Sequence, residues 1–185
     1  ESALALATRA VEAAPESATA KIALSYAQQA HFDLSAALAT LQHAVRKQPD
    51  NALAWSRLAE LWLSVGDLDQ GVNAAERAVA LDVNVAHTQT ILGFAWLTEI
   101  RLPEARAAFE KAIALDQAAP LPRLGLGLAK IRKGDLTAGR EEIEVAVALD
   151  PGNALIRSYM GKAYYEEKRD RLAGTQYEMA RDLDP

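Results

Sequence analysis

The chain has 185 residues, no cysteine and a formal net charge of −5, and half of it is hydrophobic. So much apolar content supports a sizeable core and excludes a disordered chain, and the lack of cysteine excludes disulfides and thiol chemistry. A negative balance with no basic stripe excludes nucleic acid as a general partner, and no run of about 18 apolar residues is present to insert into a membrane.

The opening residues, Glu1-Ser2-Ala3-Leu4, have neither the basic start nor the unbroken apolar run of a signal peptide. The compartment is left open by these features. Residues 2–14 read as a helix that stops before Pro15. Proline lacks an amide hydrogen and restricts the residue before it, so it ends helices. Pro15, Pro49, Pro151 and Pro185 occupy one recurring slot, with Val83 and Gln117 in that slot between them. Asp82, Asp116, Asp150 and Asp184 close successive segments and lie 34 residues apart. A fixed period of this size is the signature of stacked repeats, each too small to bury its own apolar face.

The units in register are 18–51, 52–85, 86–119, 120–153 and 154–185, with residues 1–17 the second half of a preceding unit. Each unit reads as two amphipathic helices separated by a turn. Gly66-Asp67 and Gly134-Asp135 mark that turn most clearly, glycine ending one helix and aspartate starting the next. Phe32-Asp33, Ile100-Arg101 and Lys168-Arg169 hold the same phase. Asn51 and Asn153 are placed to cap the following helix, and Pro120 takes a first helical position, where its missing donor costs nothing. Small residues recur at Ala44, Ala78, Ala112, Ala146 and Ala180 on the second helices and at Ala59, Gly93, Gly127 and Gly161 on the first. They let paired helices approach closely. Trp55 and Trp62 share one helical face and plug the space between neighbours.

No constellation of residues carries catalysis. His31, His43 and His87 are the only histidines, and no two have a metal-ligand spacing. Gly125-Leu126-Gly127 with Lys130 looks superficially like a phosphate loop, but Gly127 falls in the mid-helix small-residue slot. Glu141, Glu142 and Glu144 read as a solvated outer face. Arg123 and Lys130 replace large first-helix residues in the fourth unit; either their stems pack while the charges reach water, or they form a cationic spot for an acidic partner. The chain is read as non-enzymatic, with no cofactor and no metal.

These units resemble the tetratricopeptide repeat (TPR), whose pattern places Trp, Leu-Gly and Tyr on the first helix and Ala, Phe, Ala and Pro on the second. The second unit shows Trp55, Leu58, Ala59 and Trp62; the third Leu92, Gly93, Trp96, Ala105, Phe109 and Ala112; the fifth Met160, Gly161, Tyr164, Ala173, Tyr177, Ala180 and Pro185. The resemblance covers essentially the whole chain. It implies an all-α, right-handed α-solenoid of antiparallel helix pairs, about eleven helices in a single array. It also implies a concave surface lined by the first helices that binds a protein or peptide partner. Carried onto this chain, that lining comprises Ile22 and Tyr26 of the first unit, and Leu53 and Glu60 of the second. His87, Thr90, Phe94 and Leu97 belong to the third, Leu124, Leu128 and Ile131 to the fourth, Lys162 and Tyr165 to the fifth. Some TPR modules grip chaperone carboxylates with lysines and asparagines; the matching Ser56, Glu60 and Thr90 do not supply that clamp. A largely apolar lining suits an amphipathic helix or an extended apolar peptide. Two further readings are a structural module that self-associates through uncapped ends and a regulatory segment of a larger enzyme.

Overall fold

Alanine, the best helix former, is the commonest residue of the chain, and short polar residues stand where most of the helices should begin. The computed structural model describes residues 2–184 and shows the consequence. Among the described residues there are eleven helices and no strand: α1 (Ala3–Ala13), α2 (Ala18–Ala30), α3 (Leu34–Lys47), α4 (Ala52–Val65), α5 (Leu68–Leu81), α6 (Ala86–Thr98), α7 (Leu102–Leu115), α8 (Pro120–Arg132), α9 (Leu136–Leu149), α10 (Ala154–Glu166) and α11 (Asp170–Leu183). Pro15, Pro49 and Pro151 each lie two residues beyond a helix end, as their chemistry requires. Pro185 lies outside the described residues.

Six helix starts, those of α1 to α5 and of α10, are capped by side chains. Asn51 accepts from the Ala54 N–H at 2.9 Å and Asn153 from the Ile156 N–H at 3.2 Å. Asp67 accepts from Gln70 and Asp33 from Ala36 in the same way. Asp135 departs from the expectation drawn from its Gly-Asp pair, for its side chain makes no capping bond.

The turn inside each repeat is one device used five times. Phe32, Gly66, Ile100, Gly134 and Lys168 all have positive φ, between 60° and 99°. Behind each, the next residue's N–H donates to a carbonyl five positions earlier: Asp33 to Gln28, Asp67 to Trp62, Arg101 to Trp96, Asp135 to Lys130 and Arg169 to Tyr164. This left-handed closure satisfies carbonyls that a helix end leaves orphaned. Glycine adopts it freely, whereas Phe32, Ile100 and Lys168 adopt it under steric strain.

The loops between repeats share a second device. Trp55 Nε1 donates to the Pro49 carbonyl at 2.9 Å, Gln89 Nε2 to Val83 at 2.9 Å and Arg157 Nε to Pro151 at 2.8 Å. Each donor reaches six residues back and ties a first helix to the loop that precedes it. Lys21 holds the same repeat position, yet its Nζ is buried with no hydrogen-bond partner among the described residues.

The chain forms two compact units, residues 1–95 and 96–185. In the first, α1 to α5 pack as successive neighbours, and α2 also touches α4. Its core gathers Ala37, Leu41, Ala44, Ala54, Leu58 and Leu61, with Trp55 and Trp62 packed against it. In the second unit α7 to α11 pack in sequence, and α8 touches α10. Its core gathers Leu124, Ile143, Ala146, Ile156, Met160 and Ala163. The alanine series expected on the second helices is buried throughout, from Ala44 at 1% to Ala180 at 5% exposure.

Close approach explains the glycines of α8. A Cβ on Gly127 would lie 2.6 Å from the Gly139 carbonyl oxygen, so two helix backbones meet there. A Cβ on Gly125 would lie 2.3 Å from the Phe109 ring, which is fully buried. Gly125-Leu126-Gly127 is thus a packing surface in mid-helix.

Candidate functional site

First-helix positions two, five, nine and twelve point to one side of each helix, because steps of three and four residues follow the helical turn. In the residue 1–95 unit this side belongs to α2, α4 and the start of α6. Tyr26 and Leu53 are both 47% exposed there, and Ile22 is half-buried and packs on the core. Tyr26 and Glu60 are one repeat apart, which makes them neighbours, and the tyrosine Oη donates to Glu60 Oε2 at 3.3 Å. His87 Nε2 meets Glu60 Oε1 at 3.0 Å.

The residue that joins these side chains is Arg57, which the repeat pattern did not mark as part of the lining. Its guanidinium lies 3.6 Å from the centroid of the Tyr26 ring. Nη1 donates to Glu60 Oε2 at 2.6 Å, Nε to Ser25 Oγ at 3.0 Å and Nη2 to Gln29 Oε1 at 2.5 Å. Arg57 is only 3% exposed, so its charge is tolerated only with this full set of partners. The legible signal was an arginine three residues before a glutamate that faces a tyrosine one period away.

Burial pushes the Glu60 carboxyl up, but hydrogen bonds from His87 and Arg57, with their charges, outweigh it and hold the group below the ordinary carboxylate value. Burial and the neighbouring Glu60 charge push the Tyr26 phenol up. The carboxylate is therefore ionised at neutral pH and already engaged by the Arg57 and His87 side chains. This arrangement orients side chains on a surface; it supplies no nucleophile with a base behind it.

In the residue 96–185 unit the corresponding side belongs to α8 and α10. Leu121 is 37% exposed, Leu155 56% and Tyr165 57%. Lys162 is exposed, and Leu128 and Ile131 are half-buried and packed against the core. Leu124 is 1% exposed and Leu97 7%, and in the first unit Thr90 is 3% exposed. These three are therefore closed to a ligand. The Thr90 hydroxyl donates to the Ala86 carbonyl at 2.8 Å. Phe94 is half-buried.

Arg123 and Lys130 do not behave as either sequence reading had it. Arg123 Nη1 and Lys130 Nζ each reach Glu142 at 2.8 Å, so both cations are fastened to α9. Burial raises the Glu142 carboxyl, and the bonds from Lys130 and Arg123 more than reverse that, leaving it below the ordinary value. Glu142 is thus a tie between α8 and α9 and no part of a solvated face. Glu144 is likewise engaged, by Arg140 and by the Tyr164 hydroxyl. Among the described residues no group of three His, Asp or Glu side chains could hold a metal ion, and no helix is long and apolar enough to cross a membrane.

The tetratricopeptide-repeat family model matches residues 22–82 and 124–185, which is more than half of the chain. The chain belongs to the tetratricopeptide-repeat family. No curated protein sequence matches this TPR chain significantly. Solved structures do. TTC0263, a thermophilic TPR protein of Thermus thermophilus, is 20% identical with a TM-score of 0.84, the match covering 91% of this chain and 92% of that one. The APC/C hetero-tetramer Cut9–Hcn1 matches at 22% identity and TM-score 0.85 over 98% of this chain but 36% of that one. YrrB, described as a TPR protein with an unusual peptide-binding site, matches at 19% identity and TM-score 0.60 over 97% and 92%. At such identities the likeness shows the all-α TPR solenoid fold and no more.

Proposed function

We propose that this TPR chain is a non-catalytic scaffold that holds a peptide or partner protein against the first-helix side of its repeats. The family supplies the class, protein–protein interaction. The observation that carries the site is the exposure of Leu121, Leu155 and Tyr165 on α8 and α10, with Leu128 and Ile131 half-buried on the same side of α8. Large apolar side chains clustered on one surface gain nothing from water and usually mark a contact. A similar fold in YrrB, a protein described as having a peptide-binding site, supports the same reading. In the residue 1–95 unit, Leu53 and the Tyr26 ring offer apolar contact beside the Glu60 carboxylate, which suits an amphipathic segment.

The test uses the chain as bait and compares captured proteins for the parent, for Leu155→Ser with Tyr165→Ser, and for Tyr26→Ser. All three residues are well exposed, so the α10 pair should melt as the parent does. The expected outcome is loss of the same partner band from the variants. Identical capture by parent and variants would overturn the first-helix site.

A further inference from the structure

Ile100 occupies the left-handed turn position with φ 61°, and its side chain is 69% exposed. A β-branched residue is a steric outlier there, and the exposed side chain recovers little through burial. The turn does not require it, since Gly66 and Gly134 hold the same repeat position at φ 85° and 99°. Strain kept without compensating packing points to a contact outside the chain.

Just past this turn, within the same unit, α7 and the end of α8 enclose a cleft of about 400 Å³ lined by Leu102, Pro103, Arg106, Ala107, Glu110 and Lys133. Its floor is apolar. A second cavity of about 330 Å³ shares Arg106 and Lys133 as walls and adds Lys130, Gly134 and Asp135. The cations here are unequally used. Lys130 is held by Glu142 at 2.8 Å. Among the described residues Arg106 meets only Glu110, at 3.5 Å, and its Nε is buried with no hydrogen-bond partner. Charge-assisted bonds to carboxylates run to about 2.7–2.9 Å, so this guanidinium is under-engaged. Lys133 is exposed and outside every ion pair of the described residues.

We propose that the α6–α7 turn and the cleft between α7 and the end of α8 form a second docking site, for a peptide segment that carries a carboxylate next to a large apolar side chain. Leu102, Pro103 and Ala107 receive the apolar side chain, Arg106 and Lys133 the carboxylate, and Ile100 extends the apolar contact. A singly charged carboxylate fits better than a phosphate group, because Glu110 and Asp135 stand among the cations and repel a dianion. The site is built on second helix α7, so it does not depend on the first-helix reading.

The test is an NMR titration of the isotopically labelled chain with the blocked peptide Gly-Glu-Leu-Phe-Glu-Gly. Two controls carry lysine for glutamate or serine for leucine and phenylalanine. Saturable shifts confined to residues 100–110 and 130–135, absent with both controls and weakened by added salt, are expected. Lys133→Glu should weaken binding at least tenfold. Ile100→Gly should raise the melting temperature, because glycine relieves the turn, and weaken binding several-fold. The same affinity for the lysine control, or for Lys133→Glu, would overturn the proposal. So would shifts confined to the first-helix side of α8 and α10, which would instead support the site proposed above, or shifts that grow with protein concentration before any peptide is added. Unchanged binding by Ile100→Gly would remove the turn from the site.

Discussion

Arg57 shows how much a single buried charge can organise. Its guanidinium is 3% exposed, stacks on Tyr26 and bonds to Ser25, Gln29 and Glu60. Cation–ring contact and charged hydrogen bonds together compensate the loss of water. Replacing one partner of such a buried pair leaves the other without compensation. Arg57→Met is therefore expected to destabilise the residue 1–95 unit by about 3 kcal/mol, read from urea unfolding. A loss under about 0.5 kcal/mol would mean that Glu60 and His87 carry the network without the arginine.

Between elements, the repeat uses the same few bonds at the same positions, and departures from them stand out. Trp55, Gln89 and Arg157 each fasten a first helix to the loop carbonyl six residues earlier. At Lys21, the equivalent position of α2, a buried ammonium makes no such bond. A buried polar group without a partner costs about 1–3 kcal/mol. Lys21→Gln, with a side chain like that of Gln89, is expected to reach the Pro15 carbonyl and to gain about 1 kcal/mol, or about 2–4 °C in Tm by calorimetry. A lower Tm would show that the lysine stem, rather than its missing bond, sets the stability of this junction. The α8–α9 junction relies on a different tie, the pair of cations on Glu142, and on the Gly127–Gly139 approach that brings those helices together.

Across the whole molecule, acid should act through the depressed carboxylates. Glu60 in one unit and Glu142 in the other both lie below the ordinary value of 4.5 in the folded chain, because the bonds from their basic partners outweigh burial. A carboxylate with a depressed folded pKa contributes stability in full above its unfolded value and loses it as pH falls through the folded one. The urea midpoint should therefore hold steady from pH 7 to about 5 as far as these two groups are concerned, and fall below about 4.5. The Glu60→Gln, Glu142→Gln double variant should start less stable and lose less over that acid range. Parallel curves for parent and variant would assign the acid loss to other groups.

The helices, their ends and the repeat register were legible in the residues themselves. The proline slots, the Asn51 and Asn153 caps and the Gly66 and Gly134 turns follow from local chemistry, which needs only near neighbours in sequence, and the period sets the other three turns in phase with them. The solenoid class followed too, because a 34-residue unit cannot bury its own apolar face. Which lining positions remain open did not follow. Leu121 and Leu124 lie on one face of α8, yet one is 37% exposed and the other 1%. Arg123 and Lys130 likewise read as charges reaching water or a partner until Glu142 was brought to them, and nothing in the repeat pattern marked Arg57 until Glu60, Ser25 and Gln29 gathered round it. Exposure and charge pairing are decided by how neighbouring helices pack, and that distance-dependent fit is a property of the tertiary structure alone.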